Sequence, residues 1–375
     1  MTGLIFVGMV GPDSHNREEQ RFVEELSAAF ATTRYLRGAG VKGLRAHQLM
    51  SIPGRVAARK MRGGAKLSWG SLLIIPVRRL ARRLNVRWIQ CQLKRTIDTA
   101  PFDWTLWIRF PSPELVDAVA IMPDVRVFYE PIDLYSAAED LSGAERAALL
   151  EAEAKLMRRA TVVTGSRQLA ERFQGSAGQS HWLPFGRDQY QPATGAGLPV
   201  EISRPRLGLV GCLDWRVDES LLVALMKAHP DWQLILAGPR VRPWGVRLER
   251  LRNVHWLGRI PVDRVGPVIR DCDVTLIPYR LTDWTRHCLP VKVFEYLEEG
   301  KPVVATPLLE LELLRDVVTM APADSFDEAV ESALTDISPA AQERRQQAAG
   351  RFTLQDRARQ AIELVHGKEL QAATS

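Results

Sequence analysis

The sequence predicts an α/β chain organised as two doubly wound domains. Three observations carry this. The chain has 375 residues, enough for two domains of ordinary size. Short apolar strands alternate with amphipathic helices, the order that builds a parallel sheet. A polar, aperiodic stretch with Gly and Pro, residues 187–205, interrupts the alternation as a linker would. The expected domains are 1–190 and 204–345, with a last helix within 351–369.

The first domain opens with Leu4-Ile5-Phe6-Val7, an apolar strand, and a turn containing Gly8 and Gly11. A polar loop with Asp13 and His15 follows. A helix is expected over 17–30, with Phe22, Val23, Leu26, Ala29 and Phe30 as its apolar stripe. The glycines do not form a dinucleotide fingerprint. Residues 55–69, with Gly63-Gly64, read as a loop. Residues 77–97 have a helical period that groups Val77, Leu80, Ala81, Leu84, Trp88 and Cys91. Arg78, Arg79, Arg82, Arg83, Arg87 and Lys94 fall largely on the other faces. That stripe suits an interfacial membrane helix, and equally a helix packed on the domain core. Strands at 104–108 and 125–129 flank a short helix at 113–120. A helix at 144–159 precedes the strand Thr161-Val162-Val163-Thr164. Ser166 caps the next helix, and His181-Trp182-Leu183 reads as the last strand.

The second domain alternates more cleanly. Strands are expected at 206–210, 233–237, 254–257, 274–277, 303–305 and 317–320. Helices are expected at 218–229, 262–270, 290–299, 309–315 and 325–335. A final helix at 354–366 is apolar at Ala358, Ile362 and Val365.

Composition excludes several classes. Apolar content of 46% and charged content of 25% are those of a globular protein. Cys91, Cys212, Cys272 and Cys288 have neither disulfide-framework nor metal-site spacing and read as reduced thiols. The scattered histidines form no metal motif, so no metal is expected. The longest apolar run, at 72–77, is far below the roughly 18–20 residues that span a bilayer. The N-terminus lacks a basic leader and cleavage site, so a cytoplasmic location is expected, peripheral to the inner face of the cell membrane. The net charge of +6 is unevenly placed: sixteen Lys or Arg and no acid lie between Glu25 and Asp98. Such a surface suits an anionic partner: a membrane, a pyrophosphate-linked acceptor or nucleic acid.

In open parallel sheets, ligands bind outside the carboxyl ends of the strands. In the second domain those ends carry Gly211-Cys212-Leu213-Asp214-Trp215-Arg216, Gly238-Pro239-Arg240, Gly258-Arg259-Ile260 and the loop 278–287. Arg216, Arg240, Arg259, Arg280 and Arg286 make that edge an anion site. The stretch Pro290-Val291-Lys292-Val293-Phe294-Glu295-Tyr296-Leu297 follows. Lys292 and Glu295 are spaced to share one helix face. Gly300 stops the helix, and Pro302 precedes the buried strand Val303-Val304-Ala305. A cation here would neutralise a pyrophosphate, and a carboxylate would accept hydrogen bonds from ribose hydroxyls.

This stretch, from Pro290 through Lys292, Glu295, Tyr296 and Gly300 to Val304, resembles the nucleotide-sugar helix of glycosyltransferases of the glycosyltransferase-B fold. The likeness is to the group 1, family 4-like branch in particular, and it covers most of 204–340. It implies two Rossmann-like domains facing a cleft, with the last helix returning to the first. It implies that Glu295 holds the ribose diol while Lys292 and Arg286 hold the diphosphate. The Gly211 loop would face the pyrophosphate, and the backbone at Arg259 and Ile260 the base. Thr285 and Arg286 resemble part of the donor segment. Three positions depart from the pattern, of which Glu298 in place of an alanine is an exposed-face change. The first glutamate of the E-x₇-E pair falls on His287, and the arginine usual after the glycine loop is replaced by Cys212, with Arg216 as its substitute. In the first domain, Tyr129-Glu130-Pro131-Ile132-Asp133 is similar to an acidic strand-end motif of some relatives. Asp133 is then an acceptor-side base or a helix cap, and Asp13 and His15 lie on the acceptor side.

The resemblance thus implies a hexosyltransferase-type enzyme with Asp133, Arg286 and Lys292 as catalytic candidates. Its donor would be a UDP- or GDP-type sugar, with no metal or other cofactor. Its acceptor would be lipid-linked or a polysaccharide precursor. The basic region 34–95 would meet an anionic membrane, and no nucleic acid is expected. The alternatives are a nucleic-acid-associated α/β protein and an inactive nucleotide-sugar-binding relative.

Overall fold

The computed structural model describes residues 2–9, 17–38, 58–60, 66–72, 78–97, 102–122, 125–175, 179–187, 197–199, 201–241 and 243–368. Asp13, His15, Gly63-Gly64 and most of the expected linker lie outside them. The chain forms two compact units, Met1–Pro184 with Leu354–Ser375, and Phe185–Thr353.

The first unit is built on an eight-stranded sheet: β1 (Thr2–Gly8), β2 (Thr32–Arg37), β3 (Ala58–Lys60), β4 (Lys66–Ser71), β5 (Asp103–Ile108), β6 (Arg126–Tyr129), β7 (Thr161–Thr164) and β8 (Ser180–Trp182). The order is β3-β4-β2-β1-β5-β6-β7-β8, so the winding reverses between β1 and β5. All neighbours are parallel except β3 and β4. The helices are α1 (Arg17–Ser27), α2 (Arg78–Ile97), α3 (Pro113–Ala120), α4 (Gly143–Met157) and α5 (Arg167–Phe173).

Side-chain alternation along β1 divides the core in two. Leu4 and Phe6 pack with Phe22, Val23 and Leu26 of α1, and with Leu354, Ala358 and Ala361 of the C-terminal helix (Leu354–Val365). Ile5 and Val7 pack on the other face with Ile89 and Leu93 of α2 and Leu115 and Val119 of α3. The last helix of the chain is therefore part of the first unit's core.

The structure corrects several sequence expectations here. The residues expected as a loop at 55–69 include β3 and most of β4, and β2 was not anticipated. Only Thr33, Tyr35, Leu36 and Leu67 are buried along the described side chains of β2 and β4. Lys and Arg between them mask the alternation, as suits strands near a sheet edge. The first helix ends at Ser27, not Phe30. The expected apolar face of α2 is split. Ala81, Asn85, Ile89, Leu93 and Thr96 are buried, while Leu84, Trp88 and Cys91 are exposed. Ser166 caps α5 as expected, accepting from Leu169 N. The short 3₁₀ turn after Asp133 starts from Leu134, which makes no side-chain cap.

The second unit is a six-stranded parallel sheet: β9 (Arg206–Val210), β10 (Gln233–Ala237), β11 (Val254–Gly258), β12 (Val274–Ile277), β13 (Val303–Ala305) and β14 (Val318–Met320). Its order is β11-β10-β9-β12-β13-β14, reversing between β9 and β12. Its helices are α6 (Glu219–Ala228), α7 (Val265–Arg270), α8 (Asp283–Arg286), α9 (Lys292–Glu298), α10 (Phe326–Thr335) and α11 (Pro339–Gly350). Residues 309–314, expected as α-helix, are 3₁₀. α11 was missed, because it buries only Ala341, Arg345, Ala348 and Ala349 and so has no bulky apolar stripe.

Candidate functional site

The carboxyl ends of β9, β10 and β11 each turn on a glycine with positive φ: +125° at Gly211, +136° at Gly238 and +63° at Gly258. Gly211 and Gly238 stand against one another. A Cβ on Gly238 would lie 1.9 Å from the Gly211 carbonyl oxygen. Backbone hydrogen bonds stitch the ends together, from Gly211 N to Ala237 O at 2.8 Å and from Gly238 N to Gly258 O at 2.7 Å. Only residues without a side chain allow loops this close and a backbone open to a ligand.

Lys292, the first residue of α9, reaches this edge. Its Nζ lies 3.0 Å from where a Gly211 Cβ would stand. That ammonium is buried, with no hydrogen-bond partner among the described residues. It sits over the Tyr279 ring at 5.4 Å, and the Arg216 guanidinium lies over the same ring at 5.9 Å. Tyr279 is pinned by its own carbonyl, which accepts from Thr306 Oγ1 at 2.7 Å. Arg216 is held by Asp214 in a two-pronged pair, Nε to Oδ1 at 2.9 Å and Nη2 to Oδ2 at 2.7 Å. Tyr296, on α9, clamps the end of β9: its hydroxyl accepts from Val210 N at 2.8 Å and donates to Val210 O at 3.1 Å.

The charges follow from these neighbours. Burial, reinforced by the Arg216 charge, lowers the Lys292 ammonium to about 8. Burial pushes Asp214 upward, but the hydrogen bonds and charge of Arg216 outweigh it, so this carboxyl stays below its ordinary value. Burial and then Asp214 raise the Cys212 thiol, which therefore stays neutral. Surrounding protein pushes the Glu295 carboxyl up against the opposing charge of Lys292, yet the residue is exposed and water limits that shift. No hydrogen bond among the described residues engages the Glu295 carboxylate, which stands one turn beyond Lys292.

The expected residues thus fall into groups. Gly211, Gly238, Asp214, Arg216 and Lys292 come together around Tyr279. Thr285 is buried and committed to its own loop: it forms a reciprocal cap with Thr282 and donates to Arg280 O. Arg286 is exposed, 3.9 Å from the equally exposed Asp283. Arg259 is exposed and Ile260 half-buried at the end of β11. His287 is half-buried, with Nδ1 2.7 Å from the Asp283 carbonyl. That carbonyl can only accept, so Nδ1 donates. Arg240 is turned away onto the Trp256 ring at 4.4 Å and paired with Glu249. Tyr279, Tyr296 and Thr306 were not anticipated. Tyr279 and Thr306 signal only an aromatic or hydroxyl beside a strand end, and Tyr296 stands inside α9, in the stretch that carries the resemblance but with no role given to it.

In the first unit, Glu130 stands at the end of β6. It is fully buried and accepts from Trp107 Nε1 at 2.6 Å, from Arg109 Nε at 2.8 Å and from Arg357. Asp133 lies in the turn beyond, half-buried.

Comparison with known proteins agrees with this geometry. Over nearly their full lengths, solved structures align with the chain. One is the E. coli trehalose-6-phosphate protein bound with UDP-2-fluoro glucose, with TM-score 0.67 and 13% identity over 97% of this chain and 99% of that one. Anabaena HepE in complex with UDP and glucose gives 0.63 and 14%, over 97% and 99%. WaaG, a glycosyltransferase involved in lipopolysaccharide biosynthesis, gives 0.65 and 14%, over 98% and 100%. The fold is the glycosyltransferase-B fold. Residues 205–336 match the sequence model of the family "Glycosyl transferases group 1". A curated relative is 25% identical over 221 residues, 54% of this chain and 55% of the relative: the putative teichuronic acid biosynthesis glycosyltransferase TuaH of Bacillus subtilis (strain 168). The chain spans about half the length of that relative.

Proposed function

We propose that this protein moves a hexose-type sugar from a UDP- or GDP-sugar to a hydroxyl of a lipid-linked or polysaccharide-precursor acceptor in surface glycan synthesis. The observation that carries the reading is the buried, unpartnered Lys292 ammonium facing the side-chain-free backbone of Gly211. A buried cation without an anion is costly, and a diphosphate is the anion that the open glycine turns admit. Arg216 adds positive field while Asp214 holds it in place. Glu295, exposed and unengaged, accepts from the ribose hydroxyls. Neighbours that carry UDP and glucose, and relatives named for teichuronic acid and lipopolysaccharide synthesis, support the donor and acceptor classes. A cytoplasmic site at the inner face of the cell membrane fits such an acceptor.

In the reaction, the bond from the sugar's anomeric carbon to the diphosphate oxygen breaks, and the acceptor oxygen bonds to that carbon. The acceptor proton leaves with a base or with the departing phosphate. The main demand is to stabilise the negative charge that grows on the diphosphate, and Lys292 can do this without a divalent metal. His287, at the position where the resemblance implies a glutamate, leaves Nε2 to meet a sugar hydroxyl.

Calorimetry with UDP, GDP and their sugars, without added metal, tests the donor site. Lys292→Ala and Glu295→Ala are each expected to weaken binding about tenfold or more, the scale of a lost charge-assisted hydrogen bond. Unchanged affinity in both variants would reject the site.

A further inference from the structure

We propose that α2 docks the first unit on an anionic lipid bilayer, through a face formed by Leu84, Trp88, Arg83, Arg87, Lys94 and Arg95. This deepens the acceptor reading above by naming the surface that meets the membrane. The helix has a buried side and a bare one. Ala81, Asn85, Ile89 and Leu93 face the core. Flanking that side, Leu84 is 57% exposed and Trp88, one turn later, 53%, and the cations Arg83, Arg87 and Lys94 lie farther round, opposite the core. The exposed Cys91 continues the row by another turn. Arg83, Arg87, Lys94 and Arg95 border this row, all exposed, and no ion pair among the described residues engages them. Arg82 is different: it turns away and pairs with Asp117 at 2.7 Å. The helix contains no carboxylate, and neither does the rest of 26–97.

An apolar row edged by cations is what a bilayer interface selects. Leu and Trp enter the acyl boundary while the guanidinium and ammonium groups remain at the lipid phosphates. A second copy of this chain would bring two cationic faces together. A nucleic-acid strand would need successive aromatics for stacking, and this face has one. No described helix is long and apolar enough to cross a membrane, so the contact is peripheral.

The test is flotation of the full chain, without donor or acceptor, on vesicles of phosphatidylcholine alone or with about 30% phosphatidylglycerol. Binding is expected only to the anionic vesicles and should fall steeply with added salt. Leu84→Ser with Trp88→Ser should cut partitioning about tenfold or more. Arg83, Arg87, Lys94 and Arg95 changed together to Gln should abolish it. Both variants alter exposed positions, so thermal unfolding and UDP binding should match the parent. Failure here would therefore leave the donor site standing. No binding to anionic vesicles, undiminished binding by the Ser pair, or saturable RNA binding that excludes vesicles would each overturn the proposal.

Discussion

Lys292 carries the sharpest consequence for a single residue. Its ammonium titrates near 8 in the empty site, and a bound diphosphate would raise that value. Binding strength from this group is full below pH 8 and declines as pH rises from there toward the bound-state value. Calorimetry at pH 8 in buffers of differing ionisation enthalpy should show uptake of about half a proton per UDP bound. Lys292→Met should show none. Gly211→Ala tests the same contact from the other side. At φ +125°, with Lys292 Nζ 3.0 Å from the new methyl, it should weaken UDP binding and cost roughly 1 kcal/mol or more in urea unfolding. Lys292 and Glu295 were legible beforehand because their spacing encodes a shared helix face. Tyr296 was not, because its partner, Val210, lies 86 residues away. Thr285 and Arg286 were conspicuous in the sequence, yet one is consumed by its own turn and the other stands in water. Residue type alone does not separate these cases.

At the scale of elements, periodicity located helices better than it oriented them. The twenty-residue α2 was found almost to its ends. Its buried side, however, includes Asn85 and Thr96, while Leu84 and Trp88 face out, so grouping apolar residues did not decide which face meets the core. In α11 the signal was weaker still, since an arginine takes the place of a large apolar residue. Arg345 is buried and spans three segments, donating to Gly300 O at 3.1 Å and to Asp336. It thereby fastens α11 to the end of α9. Arg345→Ala should destabilise the second unit by about 1–3 kcal/mol, because the Gly300 carbonyl loses a buried donor. Hydrogen exchange should report faster opening around 297–303 and 336–349, with first-unit amides unchanged.

At the scale of the molecule, the alternation of strands and helices made the second sheet legible, and of the first sheet β1 and β5 to β8, but not the edge formed by β2, β3 and β4. The pairing that closes the first unit was not, because it joins residues far apart in sequence. Arg357 on the C-terminal helix meets Glu18 and Glu130, both also bound by Arg109. The side chains of Arg109 and Glu130 are fully buried, and that of Arg357 nearly so. Removing one member leaves a charge unmatched in the interior. Arg357→Ala should cost the first unit about 3–5 kcal/mol, measured as lost exchange protection in α1 and β1. Acid should act on the same network. Burial pushes Glu18 up, but the charges of Arg109 and Arg357 prevail and its carboxyl lies below 4.5. Its contribution is present above that value and lost as pH falls through the folded one. First-unit protection should decline below about pH 4.5, and less so in Glu18→Gln.

The return of 354–365 to the first sheet also gives the molecule an order of assembly. Every residue of the second unit is contiguous, between Phe185 and Thr353. It needs no segment from beyond that stretch to complete its sheet. The first unit needs the helix at 354–365 to seal the face of Leu4 and Phe6. On refolding, the second unit can therefore close from one continuous stretch, whereas the first must join segments from both sides of that stretch before its apolar flank is covered, a loop closure with an added entropic cost.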